Sequence, residues 1–548
     1  MAKKFLATIL ALTMVLSLVA CGSKAESDTP DDSQTGNTPV NSEHPTWLTD
    51  EKVTLTVTTY DSVTDGVEPP SNDQRFWQWL EDYTNVHIEW NIIPYAGYEE
   101  VIKTRLASGT DLGDIINVYN IDNGQDAGYN GILMDMAPYW DSCFTKTNAY
   151  FEEEGTDYTS LVTNSNGEIY SLVGTVEPIE GHIVICYNTE WMKKLNLEVP
   201  KTLDEFTAVL QAMKDAGDLN GDGKDNEIIL TSPGISYLYA VLGNAFGLEC
   251  YSHWDAFQAD KNGVVSSEYV SDGYRNMMIY CNELYDAGIL DPEIATMSSS
   301  AMSEKAAADR VGCFIYYSAF AISYGAMTSA GAQDPTGEYY TIGVPLASKW
   351  NNNQGYFIRR DQASSTPTAI SAECKNPELA CKWLDTLFAD PKVIEVRTCG
   401  FEGEHFNYAA DGSVELIMPA DGSDWDIQSM IGGGQITLAF IQTKQQLLVS
   451  KLQYPWYLEE YANIRDNYEW RSPSVARVNY FSEEEQETID TYKPDFFTYI
   501  KEMRTGFPTG KFDASDDAVW NEYCSTLEKL GLKELTSAYQ SVYDRTTD

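Results

Sequence analysis

The segment that begins at Val53 alternates between strand-like and helix-like hydrophobic patterns, and this order limits the possible folds. From Val53 to Thr58, valine and leucine alternate with threonine, which is the period of a half-buried strand. A helical stripe, a β-rich run at Val86–Ile93, a helical stretch ending at Gly109 and an apolar strand at Asp114–Val118 follow. This β-α-β-α-β order predicts an α/β fold with a mainly parallel sheet covered on both faces. The stripe consists of Phe76, Trp79, Leu80 and Tyr83.

The same pattern restarts further along the chain, whose 548 residues predict two or more domains or lobes. His182–Asn188 is a strand candidate, and Thr202-Leu203-Asp204-Glu205 has the sequence of a capping box at a helix start. Val311–Tyr316 has a further strand pattern, and Asn376-Pro377 opens another amphipathic helix. The restart predicts that more than one sheet is present.

The first twenty residues have the layout of an export signal: Lys3 and Lys4, an apolar run from Phe5 to Val19, then small residues before Cys21. The apolar run is too short to span a bilayer comfortably. Residues 1–20 are therefore predicted to be a signal peptide that is absent from the mature chain.

Leu18-Val19-Ala20-Cys21 resembles a bacterial lipobox, in which the cysteine thiol receives acyl chains such as palmitate and becomes the mature N-terminus. The alternative is an ordinary cleaved signal with an incidental cysteine. After Cys21, the rest of residues 21–46 is almost without large apolar side chains, so it is predicted to be a disordered tether. We therefore expect a folded body that is lipid-anchored at the extracellular face of the cell membrane.

The mature chain is strongly acidic. Removing residues 1–20 takes away two lysines and no acid, so the net charge of −47 becomes −49. Such a surface repels phosphates, which argues against nucleic acid as a partner and against membrane contact other than through the anchor.

Nine of the ten cysteines remain after Cys21, and they contain no Cys-x-x-Cys pair. Their odd number and dispersed positions indicate neither a disulfide scaffold nor a zinc ribbon. We expect most of them to be small buried hydrophobic residues.

The decapeptide DLNGDGKDNE, residues 218–227, follows a helical pattern and has oxygen-bearing side chains at alternate positions. Gly223 stands at the sixth position, where an EF-hand loop turns sharply, but Ile229 replaces the usual glutamate at the twelfth. Oxygen ligands in flexible number suit Ca²⁺ better than Mg²⁺. The alternative is a solvent-exposed Asn-Gly and Asp-Gly turn. The candidate ligands are Asp218, Asn220, Asp222, the Lys224 carbonyl, Asn226 and Glu227.

Four stretches together resemble a known family: extracellular solute-binding lipoproteins of ABC importers, in the large branch with alginate- and other oligosaccharide-binding members. The first stretch runs from Tyr187 to Ile228 and includes YNTEWMKKLNLEVPKTLDEF and the acidic loop. The others are NELYDAGILDPE at Asn282–Glu293, GFEGEHF at Gly400–Phe406, and the C-terminal VWNEYCSTLEKLGLKELTSAYQSVYDR. With the lipobox, the resemblance covers nearly the whole chain.

The resemblance implies that the six loop residues bind a structural Ca²⁺ outside the ligand cleft, although Asn226 stands where the branch commonly has aspartate. It also implies a two-lobe, periplasmic-binding-protein-like (Venus flytrap) fold that closes by hinge motion. We expect residues 47–172 and 309–370 to form the N-terminal lobe, and residues 173–308 and 371–548 the C-terminal lobe. The expected crossings lie near Tyr170–Pro178, Ala306–Arg310 and Pro367–Cys374.

The ligand of such a fold is expected beyond the carboxyl ends of the strands. Tyrosines and tryptophans can stack on the C–H face of a sugar, while Asp, Asn and Glu accept hydrogen bonds from its hydroxyls. Glu177 lies beside the first expected crossing, and Trp456 offers a flat surface. The candidate ligand-binding residues are Tyr60, Asp61, Tyr119, Asn120, Glu177, Tyr316, Tyr317 and Trp456.

The expected function is therefore reversible capture of an oligosaccharide by a monomer that presents it to an ABC permease and, through the permease, to an ATPase. No catalytic residue is expected, and the chain contains no His-Glu-x-x-His, Gly-x-Ser-x-Gly or P-loop motif. A secreted glycoside hydrolase with two distant carboxylates is one alternative. A peptide-binding or sensing lipoprotein of the same fold is the other.

Overall fold

The computed structural model describes most of the chain from residue 44 onward. The described ranges are 44–61, 68–119, 121, 124–176, 183–249, 256–328, 338–358, 366–432, 437–471, 474–475 and 481–547. Residues 46–548 form one compact unit. Among the helices in these ranges, none is both long enough and apolar enough to cross a membrane.

Most strands in the described ranges have two to four residues, and a few are longer. The strands are β1 (Val53–Tyr60), β2 (Val86–Ile93), β3 (Ile115–Asn117), β4 (Thr175–Val176), β5 (Ile183–Asn188), β6 (Ile228–Thr231), β7 (Phe257–Ala259), β8 (Val265–Ser267), β9 (Val311–Tyr317), β10 (Tyr340–Ile342), β11 (Tyr356–Ile358), β12 (Thr368–Ile370), β13 (Phe406–Tyr408), β14 (Val414–Leu416), β15 (Ile441–Gln442) and β16 (Glu469–Arg471).

Helices connect and cover these strands. They are α1 (Arg75–Thr84), α2 (Tyr98–Ser108), α3 (Gln125–Tyr129), α4 (Trp140–Cys143), α5 (Thr145–Glu154), α6 (Tyr158–Val162), α7 (Thr189–Leu195), α8 (Leu203–Ala216), α9 (Ile235–Ala245), α10 (Asp272–Asp286), α11 (Ser299–Ala307), α12 (Phe320–Met327), α13 (Pro377–Ala389), α14 (Pro391–Cys399), α15 (Ile427–Ile431), α16 (Lys444–Val449), α17 (Pro455–Asn467), α18 (Glu483–Gly506), α19 (Asp517–Lys529) and α20 (Leu532–Thr547).

The first sheet has the strand order β12-β3-β1-β2. β1 runs parallel to β2 over eight residue pairs and parallel to β3, while β12 is an antiparallel edge strand. Alternate residues of β1, such as Leu55 and Val57, are buried in a core that also contains Phe76 of α1 and Trp383 of α13. The predicted parallel sheet is thus confirmed.

The second sheet has the strand order β10-β5-β9-β6. β6 runs parallel to β9, whereas β5 is antiparallel to both β9 and β10. Along β5, Ile183, Ile185 and Tyr187 lie in one core and Val184 and Cys186 in another. Because side chains alternate across a strand, this pattern shows that both faces of the sheet are covered. The α/β fold class is confirmed.

The local signals for helix starts are also confirmed. α8 begins with a capping box, in which Thr202 and Glu205 exchange side-chain to backbone hydrogen bonds. α13 begins at Pro377, directly after Asn376. These features depend on neighbouring residues only, so the sequence shows them directly.

The chain contributes separate segments to each sheet. The hydrophobic cores around the first sheet take their residues from 55–173 and 369–449, and those around the second sheet from 183–357 and 457–542. We call these two bodies the N-terminal lobe and the C-terminal lobe. Along the described residues, the cores therefore change lobe three times, and the third change, after residue 449, is absent from the expected boundaries.

The expected lobe boundaries differ from this division. Residues 309–370 were assigned to the N-terminal lobe, but β9 pairs with β5 and β6 of the second sheet. Residues 371–548 were assigned to the C-terminal lobe, but α13 packs on the first sheet. The segment Ala306–Arg310 joins α11 to β9 within one lobe, and Pro367–Cys374 contains β12. A strand pattern does not indicate which sheet the strand will join.

The cysteines within the described ranges are all free, and all but Cys524 are buried. Burial raises the pKa of the thiols of Cys186, Cys281 and Cys313. These thiols therefore act as small apolar groups in the cores, as the sequence predicts.

Candidate functional site

Four tyrosines meet at the carboxyl ends of the parallel strands in the N-terminal lobe. Tyr60 ends β1, and Tyr95 and Tyr119 each lie two residues beyond β2 and β3. The ring centroid of Tyr60 lies 5.3 Å from that of Tyr95, 5.1 Å from Tyr98 and 5.6 Å from Tyr119. The carboxyl edge of a parallel sheet is where ligands bind in open α/β folds. We call these residues the N-lobe tyrosine cluster.

Hydrogen bonds to the strand ends hold this cluster in place. The backbone N–H of Tyr95 donates to Asp61 Oδ1 at 2.8 Å, and the backbone N–H of Tyr119 donates to Asn117 Oδ1 at 2.7 Å. The Tyr98 hydroxyl donates to the Asn117 carbonyl at 2.6 Å. Because these bonds link the ends of neighbouring strands, the aromatic surface is preorganised before any ligand arrives.

Thr437, which is distant in sequence, packs against this edge of the sheet. Thr59 Oγ1 lies 2.6 Å from Thr437 Oγ1 and donates to the Thr437 carbonyl at 3.0 Å. The side-chain amide of Asn117 donates to the same carbonyl. All three residues are buried, so the hydrogen bonds replace water at the strand ends and fix residue 437 over β1 and β3.

A second aromatic group lies at the carboxyl ends of β6 and β9 in the C-terminal lobe. The ring of Tyr237, on the helix after β6, lies 4.9 Å from that of Tyr316 and 5.8 Å from that of Tyr317. Phe320 packs 4.4 Å from Tyr316, and the hydroxyls of Tyr316 and Ser299 lie 3.2 Å apart. β6 and β9 are parallel, so this C-lobe aromatic cluster occupies the same position in its lobe as the first cluster does.

Burial keeps the hydroxyls of Tyr60 and Tyr237 neutral near pH 7. Burial, followed by the neighbouring Tyr119 and Tyr95, raises the pKa of Tyr60 far above its ordinary value. Burial and the neighbouring Tyr317 and Tyr316 likewise raise the pKa of Tyr237. Neutral hydroxyls both donate and accept hydrogen bonds, which suits an uncharged polar ligand.

Trp456 belongs to the same part of the C-terminal lobe. Its ring packs against the core that contains Tyr316, and it lies 5.8 Å from the ring of Tyr457, whose hydroxyl bonds to Ser318 at 2.8 Å. The indole N–H of Trp456 is buried and has no hydrogen-bond partner. A buried donor without a partner is costly, so a ligand or water acceptor at this position would be favoured.

The acidic loop between α8 and β6 is folded around its own carboxylates. Asp218 accepts from the backbone N–H of Gly221 at 2.7 Å and of Gly223 at 2.9 Å. Glu227 accepts from the backbone N–H groups of Leu219 at 2.9 Å and Asn226 at 3.0 Å. The loop therefore curls with its side-chain oxygens on the inside of the turn.

The loop is also anchored from outside. Arg310 donates through Nε and Nη2 to the Asn226 carbonyl at 3.0 and 2.9 Å, and Lys194 donates to the Leu219 carbonyl at 2.7 Å. Asn226 Oδ1 is buried without a partner, so the loop holds one unused oxygen acceptor that a cation could fill. Among the described residues, no three His, Cys, Asp or Glu side chains are grouped as metal ligands. Three of the six predicted ligand groups, on Asn220, Lys224 and Asn226, are amide or backbone oxygens and do not belong to those four residue types.

The structure brings together some of the predicted ligand residues. Tyr60, Asp61 and Tyr119 lie in or against the N-lobe tyrosine cluster, and Tyr316 and Tyr317 form the C-lobe cluster near Trp456. Cys21, Asn120 and Glu177 lie outside the described residues.

Sequence reasoning missed three tyrosines of the clusters, and also Phe320 on α12. Tyr95 follows the end of β2 and could have been found by the same strand-end rule that identified Tyr60. Tyr98 and Tyr237 lie on helices, and no strand-end signal marks them. Only the packing of α2 and α9 places these two rings at the sheet edges.

Comparison with known proteins agrees with this geometry. Residues 60–393 match the family described as bacterial extracellular solute-binding protein. The fructooligosaccharide ABC transporter substrate-binding protein FusA of Streptococcus pneumoniae is 23% identical over 576 residues, which cover 99% of this chain and 98% of FusA. The polygalacturonan/rhamnogalacturonan-binding protein YtcQ of Bacillus subtilis is 24% identical over 45% of this chain and 47% of its own length.

Solved structures share the two-lobe architecture. The alginate-binding protein AlgQ2 without calcium ion superposes with a TM-score of 0.72 at 20% identity, over 91% of this chain and 99% of AlgQ2. FusA of S. pneumoniae in complex with kestose superposes with a TM-score of 0.69 at 22% identity, over 90% of this chain and 99% of FusA. The family match covers more than half of the sequence, and the chain therefore belongs to the bacterial extracellular solute-binding proteins.

Proposed function

We propose that this protein captures an oligosaccharide outside the cell and presents it to the permease of an ABC importer. The observation that carries the proposal is the pair of aromatic clusters at the carboxyl edges of the two sheets. Each cluster combines ring faces with tyrosine hydroxyls, and a sugar has the matching C–H faces and hydroxyl rim.

The relatives support a sugar as the ligand class. FusA is named for fructooligosaccharides and YtcQ for polygalacturonan and rhamnogalacturonan. Both names describe binding proteins, which supports reversible binding without catalysis. Two lobes joined by three chain passages can close on a ligand as hinged domains do, and the closed form would be the one that the permease recognises.

The lipid anchor is a further part of the proposal. Its support is the lipobox-like sequence at Leu18–Cys21 and the polar composition of the residues that follow. A Cys21→Ser variant should move from the membrane fraction to the culture medium, and wild-type protein should incorporate labelled palmitate. Membrane retention of the variant would argue against acylation at this residue.

We also propose that the acidic loop binds a structural Ca²⁺ through Asp218, Asn220, Asp222, the Lys224 carbonyl, Asn226 and Glu227. The supporting observations are the oxygen-only donor set and the buried, unpartnered Oδ1 of Asn226. A solved FusA structure is named as an EF-hand mutant, with a TM-score of 0.69 to this chain. When bound, the ion would supply positive charge that offsets the repulsion between the loop carboxylates.

The central experiment uses residues 46–548 without the tether. Calorimetry with a panel of neutral and acidic oligosaccharides should reveal at least one ligand, and mass spectrometry should recover that ligand intact. Small-angle scattering should show a smaller radius of gyration with the ligand present. Cleavage of any oligosaccharide would favour a glycoside hydrolase instead, and binding of peptides but no glycans would favour the peptide-binding alternative.

A further inference from the structure

A cavity of about 310 Å³ lies beside the N-lobe tyrosine cluster, and its walls are residues 95–100 together with Tyr119. Residues 95–100 follow β2, the outermost strand of the first sheet. The cavity is therefore displaced toward the edge of the lobe from the ends of the central strands β1 and β3. A volume of this size is at the lower end of the range for small-molecule sites, so it fits part of an oligosaccharide and not the whole.

The cavity walls are tied to the sheet. The Asp61 carboxylate accepts from the backbone N–H of Tyr95, and the backbone N–H of Asp61 donates to the Ile93 carbonyl at 3.1 Å. Tyr98 and Tyr119 both bond to Asn117 at the end of β3. Three strand ends thus hold the walls, and little conformational entropy would be lost when a ligand binds here.

The cavity presents ring faces and open space to a ligand. The rings of Tyr95 and Tyr119 lie 6.0 Å apart at 48°, and Tyr95 is 37% exposed, which is high for a large aromatic residue in this chain. A Cβ added at Gly97 would have no heavy atom within 4 Å, so the space above this backbone is open. Two tilted rings beside an open backbone form a surface on which a flat sugar ring can stack.

The polar part of the wall is negatively charged. Glu99 and Glu100 occupy the first turn of α2, where negative charge interacts favourably with the helix dipole. Lys103 pairs with Glu99 at 2.6 Å, whereas Glu100 forms no ion pair with any residue that the structure describes. The backbone N–H groups at a helix N-terminus attract an anion, but Glu99 and Glu100 already place negative charge in this turn. A uronate ring would be repelled, whereas sugar hydroxyls can donate to the carboxylates.

We infer that this cavity is a subsite for one end of the oligosaccharide and that it selects sugar units without a carboxylate. The inference rests on the proposed function and narrows it to a ligand class. The acidic walls distinguish this chain from a binder of uronate polymers, even though some of its relatives are named for such ligands.

Calorimetry with maltotetraose, cellotetraose, nystose and tetragalacturonate tests the inference. A neutral probe should bind at least about tenfold more tightly than tetragalacturonate. Tyr95→Ala should weaken the binding of that neutral probe roughly five- to tenfold, because a stacking face is lost. Tyr408→Ala is the matched control, since Tyr408 is 43% exposed on β13, and its effect should stay within roughly twofold.

A double variant, Glu99→Gln with Glu100→Gln, tests the charge separately. It should reduce the discrimination against tetragalacturonate by about threefold or more. Unchanged affinity in Tyr95→Ala, or tighter binding of tetragalacturonate than of every neutral probe, would overturn the subsite while leaving oligosaccharide capture intact. If wild-type protein bound none of the sugars, the proposed function would fail together with the subsite.

Discussion

Tyr237 meets Tyr316 edge to face, with ring centroids 4.9 Å apart and an interplanar angle of 89°. The two residues come from different elements, a helix after β6 and the end of β9. Burial and hydrogen bonding to Tyr317 and Tyr316 raise the pKa of Tyr237. The Tyr237 hydroxyl is therefore a neutral group to which a ligand hydroxyl could bond.

We expect Tyr237→Phe to weaken oligosaccharide binding roughly fivefold, because the ring is kept and only the hydroxyl is lost. Calorimetry measures this change, and circular dichroism should show an unaltered fold. Tyr408→Phe, which loses a hydroxyl bonded to Glu395 at 3.0 Å on the surface, is the control. Equal affinities of Tyr237→Phe and wild type would remove this hydroxyl from the site.

The buried ion pair between Asp291 and Lys305 is predicted to be a major stabilising contact of the C-terminal lobe. Asp291 is 1% exposed and accepts from Lys305 at 2.8 Å and from Thr231 at 2.9 Å. Asp291→Asn should lower the free energy of unfolding by about 1–3 kcal/mol, because Lys305 loses its buried partner. Lys305 then keeps only the exposed Glu293, whose carboxylate lies 2.6 Å from its Nζ. Urea denaturation followed by tryptophan fluorescence measures this change.

The matched control for this ion pair is Glu378→Gln, which breaks an exposed pair with Lys382 four residues away on α13. Its effect should stay within about 0.5 kcal/mol. Similar losses in both variants would show that the buried pair contributes no more than a surface pair.

Glu460 should make the stability depend on pH near neutrality. Burial, with a smaller contribution from Glu338, raises the pKa of Glu460 to about 7. Hydrogen bonds from Thr341 and Ile342 act in the opposite direction and lower it. The folded state then binds more protons than the unfolded state between the unfolded value near pH 4.3 and pH 7. This stability contribution is therefore complete below about pH 4.3 and is lost as the pH rises through 7.

Glu460→Gln imitates the protonated carboxyl, since its amide can donate to Thr341 while its oxygen accepts from Ile342. The free energy of unfolding of the variant relative to wild type should rise by roughly 2–3 kcal/mol between pH 5 and pH 8. Chemical denaturation at both pH values provides the comparison. Parallel pH profiles for the two proteins would contradict the shifted pKa.

Calcium should stabilise the C-terminal lobe through the acidic loop. Adding Ca²⁺ to chelator-treated protein at about 100 times the Kd should raise the free energy of unfolding by roughly 2.7 kcal/mol. Asp218→Asn and Glu227→Gln should abolish the response, which thermal denaturation detects. Asp260→Asn is the control: Asp260 accepts from the N–H of Asn262 and Val264 in a similar acidic turn, and its loss should leave the calcium response intact.

Local signals explain why much of the fold could be predicted. The alternation in β1, the capping box of α8 and the Asn376-Pro377 helix start each depend on residues within one or two turns of each other. The ends of the strands were also predicted from such local patterns. Tyr60, Tyr119 and Tyr316 could therefore be named as site candidates.

The lobe boundaries could not be predicted in this way. β9 has the same apolar pattern whether it joins the first or the second sheet, and its pairing with β5 depends on residues more than a hundred positions earlier. Likewise, α13 has an amphipathic stripe that would fit either sheet, and packing alone assigns it to the N-terminal lobe.

By itself, the sequence determined the alternation of strands and helices, the helix starts, the acidic loop and the strand-end tyrosines, because each of these arises from side chains close together in the chain. Only the tertiary structure decided which segments share a lobe and which rings face a common space. Thr59 and Thr437 bond across 378 residues, and Tyr237 reaches Tyr316 through helix packing. Such contacts depend on the burial of whole surfaces, which no short stretch of sequence records.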